Sequence, residues 1–395
     1  MKNRLPTLVA ILGLSSAWDI AFAQTWVRTS APNENYSQIV VSPDGSKLVA
    51  IASANPDVFT STNSGVSWVT TNLTGAGPIV SSADGSRWAL AAGDLDVWVS
   101  TNSGIVWKPT GGGGGNVRSV ALSADGNIIV ANSFGNISTN FGATWRYSSG
   151  VPGGAVTLAA NGTTWIAGPV PFTSTAKLFV STNLGITWTT NLLPNTNIYF
   201  PAFSADGSRI AAVDTFLSLP TVVNPGCIYV STNFGVSWLK TAAPSNYWTG
   251  IASSADGRKL VAVAVPQKAP YVPANGGIFT STDGGLSWFT NNAPITNWIT
   301  VASSADGSKL AAAVVGGGIY TADSTPTPRL NTTLASNIFT LSWILPSTNF
   351  VLQQSADLSN WTDMTDAPTL NLTNLREEVV LPPTNTCGFY RLKTP

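Results

Sequence analysis

No histidine occurs in the 395 residues. That removes Ser-His-Asp and Cys-His catalysis, histidine general bases and every histidine-containing metal site. Charge is scarce as well. The 19 basic and 19 acidic side chains make up 10% of the chain and cancel to a formal net charge of zero, against about 25% charged residues in ordinary domains. The polar surface must therefore be built mostly from Ser, Thr, Asn and Gly. Nucleic-acid binders need basic patches, so a neutral, charge-poor surface argues against that partner. Only Cys227 and Cys387 are present. A disulfide between them would tie the C-terminal segment to the body, but two isolated cysteines do not establish pairing. Beyond the first two dozen residues no apolar run is long enough to span a membrane as a helix.

The N-terminus, "MKNRLPTLVAILGLSSAWDIAFAQTW", reads as an export signal over residues 1–23. Lys2 and Arg4 form its charged part, Leu5–Leu14 its apolar part, and Ala21-Phe22-Ala23 a small-x-small cleavage pattern before Gln24. A buried N-terminal helix is the alternative. No Cys follows the apolar run to carry a lipid. The expectation is a soluble, monomeric protein outside the cytoplasm: extracellular, at the cell surface or in the periplasm.

Two short motifs alternate along the chain. One is an octapeptide: "STNSGVSW" (61–68), "STNSGIVW" (100–107), "STNFGATW" (138–145), "STNLGITW" (181–188), "STNFGVSW" (231–238) and "STDGGLSW" (281–288). The other is "SPDG" at 42–45, "SADG" at 82–85, 123–126, 204–207, 254–257 and 304–307, and "AANG" at 159–162. Together they mark seven units of about 36–50 residues, a period that points to a β-propeller. Each unit reads as four strands. The "xDG" is a hairpin turn, an Ala/Val-rich strand follows, and the third strand is aromatic at one fixed place (Phe59, Trp98, Phe179, Tyr229, Phe279, Tyr320), with Asn136 the exception. Six octapeptides for seven units leave one fourth strand missing. Trp26 aligns with Trp68, so the mature N-terminus should supply that strand to the last unit, "GGGIYTAD", and close the ring without an open edge. The predicted fold is all-β: a seven-bladed propeller from 24 to 323, a "STPTP" linker at 324–329, and a small β-sandwich over 330–395.

The octapeptides resemble the Asp-box, or BNR, repeat, Ser-x-Asp-x-Gly-x-Thr-Trp. It occurs in sialidases, xyloglucanases, photosystem assembly factors and sortilin-type receptors. The resemblance covers about three quarters of the chain. It implies a propeller and leaves the activity open, because those proteins do unrelated jobs on similar frames. One departure is systematic: Asn63, Asn102, Asn140, Asn183 and Asn233 replace the acid, and Asp283 alone keeps it. An amide oxygen can still accept turn N–H groups, whereas a catalytic or metal-binding carboxylate would not survive the exchange. These six residues are therefore read as structural, as are Asp44, Asp84, Asp125, Asp206, Asp256 and Asp306 of the "xDG" turns.

In an up-and-down meander both motifs fall at one end of the ring. The variable loops gather at the other, where binding residues are disproportionately found. The longest are 214–226 and 266–277. Tyr36, Trp248 and Trp298 fall at one equivalent place before their "DG" turns, with Tyr247 and Tyr271 nearby in the sequence. These five are the candidate ligand-binding residues, suited to a glycan or a protein partner. Simple packing of the channel mouth is the alternative.

Sialidases use three arginines and a Tyr–Glu pair. Glu34 is the only Glu in the propeller region, and no such arginine trio is recognisable. If the chain is an enzyme, a glycoside hydrolase would need a matched pair from Glu34, Asp57, Asp94, Asp96 and Asp214. No catalytic residue, cofactor or metal is assigned. The C-terminal "LQQSADLSNW" and "FYRL" (352–361 and 389–392) resemble a fibronectin-III-like module of exported bacterial proteins. The sequence thus points to an exported, non-catalytic binding or scaffold propeller. A glycoside hydrolase and a purely architectural surface protein stay open as alternatives.

Overall fold

Alternating apolar runs bounded by Gly, Asn and Asp turns make strands, and strands are what the chain forms. The computed structural model describes residues 24–393 apart from 54–56, 74–75, 93–95, 113–116, 118, 132–134, 149, 153–155, 161, 169–176, 194–197, 215–224, 267–275, 325–329, 336–337, 345–349 and 382–387. The expected export signal, Asp94, Arg118, Tyr271 and Cys387 therefore lie outside the described residues. No helix occurs among the described ones.

Seven four-stranded antiparallel sheets succeed one another. Blades 1 to 6 run Tyr36–Thr70, Ala76–Pro109, Val120–Tyr147, Val156–Leu192, Ile198–Lys240 and Tyr247–Thr290. Blade 7 takes three strands from Trp298–Asp323 and its fourth from Val27–Arg28, which pair with Thr321 and Tyr320. The sheets are those of a β-propeller closed by the N-terminal strand. Register is the same in each. The aromatic third-strand residue faces a second-strand residue on one side and a fourth-strand residue on the other: Ala50, Phe59, Thr70; Leu90, Trp98, Pro109; Ala262, Phe279, Thr290. Second strands such as Leu48–Ala52 and Trp88–Ala92 are buried throughout, and most fourth strands are exposed. Alanines at these central positions let neighbouring sheets approach face to face.

Both motifs are locks. Ser61 Oγ accepts the Gly65 N–H (2.9 Å) and donates to Asn63 Oδ1 (3.0 Å), which also accepts the Ser67 N–H (2.9 Å). Trp68 Nε1 closes the turn on the Gly65 carbonyl (3.1 Å). The Asn63 amide then donates to Ser67 Oγ (2.9 Å), while in the acidic copy Ser287 Oγ donates to Asp283 instead. Either side chain makes the same number of bonds, which is why the exchange is tolerated. The residue after the Asn takes positive φ in five copies although it is not glycine: Ser64, Ser103, Phe141, Leu184 and Phe234, at 53–62°. That conformation turns its N–H onto the "xDG" turn of the same blade, as in Ser64 N–H to Ser46 O (2.8 Å).

The "xDG" turns bind blade to blade. In each blade the residue two after the turn glycine lies over the turn glycine of the next: Lys47 over Gly85, Arg87 over Gly126, Ile128 over Gly162, Thr164 over Gly207, Arg209 over Gly257, Lys259 over Gly307 and Lys309 over Gly45. The circle returns to its start. Inside it runs a belt of backbone hydrogen bonds. Ala83 donates to Ala124, Ala160 to Ala205, Ala205 to Ala255, Ala255 to Ala305 and Ala305 to Pro43, at 2.6–2.8 Å. Pro43 has no N–H to pass on.

Beyond the ring, strands 331–344 and 369–381 form a four-stranded sheet, and 351–355, 362–363 and 389–393 a three-stranded one. They share a core of Leu341, Trp343, Leu352, Val379 and Leu381. Ser355–Trp361 repeats the octapeptide's lock in shortened form: Asp357 accepts the Ser359 and Asn360 N–H groups, Leu358 has φ 66°, and Trp361 Nε1 donates to the Leu358 carbonyl. Those bonds hold the Asp357 carboxyl well below its usual range. This sandwich sits on the ring. Leu375 packs with Ala83, Ala205 and Ala305, and Leu372 and Ile344 flank it.

Candidate functional site

Four of the five candidate aromatic residues are buried, and the fifth, Tyr271, lies outside the described residues. Trp248 and Trp298 are 0% exposed, Tyr36 2% and Tyr247 5%. The alignment placed Tyr36, Trp248 and Trp298 correctly at one position, but each is buried in a separate cluster between its own blade and the preceding one rather than in a shared cluster. Each stands edge-on to the third-strand aromatic of its own blade. Tyr36 meets Phe59 at 6.2 Å, Trp248 meets Phe279 at 5.1 Å and Trp298 meets Tyr320 at 5.2 Å, with interplanar angles of 74–76°. Such pairs add roughly 0.5–1.5 kcal/mol beyond area burial. Burial, helped by nearby Glu34, raises the Tyr36 hydroxyl well above its usual pKa.

Their polar atoms fasten the links between blades. Tyr36 Oη donates to the Pro32 carbonyl (2.7 Å) and Trp298 Nε1 to the Pro294 carbonyl (3.0 Å), each four residues back. Trp248 Nε1 reaches the Gly226 carbonyl (3.2 Å). A third motif underlies this: "APNENY" (31–36), "APSNYW" (243–248) and "APITNW" (293–298). Its alanines Ala31 and Ala243 are buried. The repeated Ala-Pro was a visible signal that these aromatics are fasteners too.

The carboxylates do not assemble at the described cavity. Glu34 bridges backbone to backbone with Gly317. Asp57 ends the second hairpin of blade 1. Asp96 accepts the Val97 N–H (2.7 Å) and the Gly111 N–H (3.0 Å), a turn-holding role. Asp214 lies in blade 5 among Cys227, Tyr229 and Lys240. Among the described residues no group of three or more His, Cys, Asp and Glu could hold a metal ion. Cys227 is a free thiol, 3.9 Å from Ser245 Oγ, at the loop end. Its hydrogen bond raises the Lys240 ammonium above its usual pKa.

The ring's axis carries a cavity of about 380 Å³. All seven first strands contribute to its wall, including Ile39, Leu122, Ile251 and Val301, with hydroxyls from Ser81, Thr157, Ser253 and Ser303. Among the described residues no ionisable side chain lines it. Leu375 of the sandwich is its floor, 8% exposed, with φ 55°. The motif end, where the sequence suggested function was least at home, is thus a docking surface for the chain's own C-terminal part. Asp44, Asp256 and Asp306 of blades 1, 6 and 7 are half-buried, while Asp84, Asp125 and Asp206 are exposed. Burial lowers the Arg376 guanidinium below its usual pKa, and Asp256 and Glu378 pull it back up.

First strands are the inner edges of their sheets, so their outer backbone groups need partners. Side chains supply some. Gln38 accepts the Ile79 N–H (3.2 Å) and donates to its carbonyl (3.4 Å). Ser119 does the same for Val156 (2.9 and 3.2 Å). Thr249 Oγ1 donates to the Trp298 carbonyl (2.8 Å). Each latches one blade to the next.

No protein-family model matches this sequence, and no curated protein matches it. Solved structures do. The chain is similar to a GH74 xyloglucanase from Xanthomonas campestris (TM-score 0.60, 16% identity, 75% of this chain and 53% of that one). It is similar to hydrazine synthase from Kuenenia stuttgartiensis (0.53, 14%, 76% and 98%) and to YCF48 from Cyanidioschyzon merolae (0.55, 14%, 75% and 98%). It spans about half the length of the xyloglucanase it matches. At these identities the likeness defines a class of fold, the β-propeller, and no activity.

Proposed function

We propose that this chain is an exported, monomeric Asp-box propeller that binds a glycan at its loop end without transforming it. One observation carries the reading: Leu375 and its sandwich occupy the motif end of the ring, which leaves the loop end to meet a partner. The sequence assigns its longest loops, 214–226 and 266–277, to that end. A surface rich in hydroxyls and amides and poor in charge suits a neutral glycan, and one propeller of similar fold is a xyloglucanase. The test is a glycan array that includes xyloglucan oligosaccharides, read with the full chain and with a variant whose 268–274 segment is replaced by two glycines. Binding that falls at least about tenfold in the variant, with the sugars recovered intact, supports the reading. Cleaved sugars would support the glycoside hydrolase instead. No glycan binding at all would leave a protein partner or a purely architectural role.

A further inference from the structure

The channel closed by Leu375 has chemistry of its own. We propose that it is a second binding site, for a neutral, hydroxyl-rich small molecule: a saccharide of one or two rings. Its volume of about 380 Å³ falls within the ~300–1,000 Å³ of ordinary ligand sites. Its wall is made by the inner edges of seven sheets. The alanine belt and the Gln38, Ser119 and Thr249 latches satisfy part of that edge. A hydroxyl, donor and acceptor at once, is the group that matches the polar backbone of such an edge.

Ser81, Thr157, Ser253 and Ser303 line the wall; the Ser253 and Ser303 hydroxyls donate to the Ser254 and Ser304 carbonyls and so offer acceptors, and Phe203 is the aromatic among the described lining residues, an apolar face for a sugar ring. The described residues of the wall offer no charge to pair with, so an ionised ligand would lose its hydration without compensation. Leu375 makes the site blind. A molecule entering from the loop end stops on a floor built from a leucine in the left-handed region, a conformation held by its seat among the turn alanines. The channel shares with the loop-end surface only the chemical class of its ligand.

The test uses the full chain and isothermal titration with cellobiose, and with cellobionate as its carboxylate-bearing counterpart. The expected result is saturable one-to-one binding of cellobiose and binding of cellobionate at least about tenfold weaker. Ser253→Phe/Ser303→Phe, which fills the cavity, should lose cellobiose by at least about tenfold while near-ultraviolet circular dichroism shows the fold kept. If that variant loses its fold, Ser253→Leu alone serves, with a smaller loss expected. The variant shortened at 268–274 should keep cellobiose binding. Absence of saturable binding at millimolar cellobiose overturns the proposal. So does equal binding of cellobionate, or binding lost with the shortened loop and kept with the filled channel; that last result would assign the sugar to the loop end.

Discussion

Val27, on the first described strand, lies opposite Thr321 on the last strand of the ring. Two paired residues are a short seam, and the residue before them makes it hold. Trp26 is 7% exposed and its ring lies 6.2 Å from that of Trp298, among Ile278, Leu310 and Val314. Trp26→Ala should therefore cost about 3–5 kcal/mol, because the cavity adjoins the point where an open sheet edge would appear. Urea unfolding of residues 24–395 measures this. A cost below about 1 kcal/mol would mean that the ring holds without its N-terminal strand.

The amide-for-acid exchange in the octapeptides predicts an asymmetry. Asp283→Asn keeps every acceptor the turn uses and turns one hydroxyl bond around. It should change stability at neutral pH by no more than about 0.5 kcal/mol. Asn63→Ala removes the acceptor for the Ser67 N–H and the partner of both Ser61 and Ser67. It should cost about 1–2 kcal/mol. Equal effects in paired chemical-denaturation curves would show that the side chain at this position is not the lock.

How much the sequence showed depends on the range of the interaction. The locks were legible because each is closed within eight residues, and the closing strand because Trp26 repeats the setting of Trp68. The position of Tyr36, Trp248 and Trp298 was legible too, but not their burial. A place along a strand does not say how deep the ring mouth is, and the Ala-Pro links that cover them act from four residues back. Leu375 was invisible. Nothing local to "NLTNLREE" says that its leucine will meet alanines of three separate blades, brought together only by closure of the ring. The left-handed residues were missed for another reason: Leu and Phe carry no turn signal, and the fold imposes that conformation on them.

That imposed conformation is a reservoir of stability. Leu184 has φ 60° with its side chain 37% exposed, and the equivalent residue in the acidic copy is Gly284. A non-glycine residue in the left-handed region costs about 1–2 kcal/mol, and glycine returns roughly 0.5–1 kcal/mol of that through the freedom of the unfolded chain. Leu184→Gly should therefore stabilise the protein by about 0.5–1 kcal/mol. Phe234→Gly should gain less or lose, because Phe234 also packs against Leu178 and Ile210. A destabilised Leu184→Gly would mean that the side chain earns its place by contacts at the rim.

Acid should unfold the ring through its turn carboxylates. Partial desolvation at the turn raises the Asp84, Asp125 and Asp206 carboxyls, exposed though these residues are, but hydrogen bonds from their serine and asparagine neighbours outweigh it, and all three end below the ordinary value of 3.8. Asp283 behaves likewise through Ser281 and Ser287. The unfolded chain then binds protons more readily than the folded one, so stability rises with pH across this range. The contribution is complete above about pH 5 and drains away as pH falls through the unfolded value of ~3.9 toward the folded values below it. With no histidine in the chain, the urea midpoint should be nearly flat between about pH 5 and 8 and drop steeply below about pH 4. The "AANG" turn of blade 4 already carries Asn in place of the acid, so Asp84→Asn/Asp206→Asn should fold. It should be less stable than the parent at pH 7, by the lost carboxylate contribution, and should show a shallower acid slope. An unchanged slope, or a midpoint that falls between pH 5 and 7, would place the acid sensitivity elsewhere.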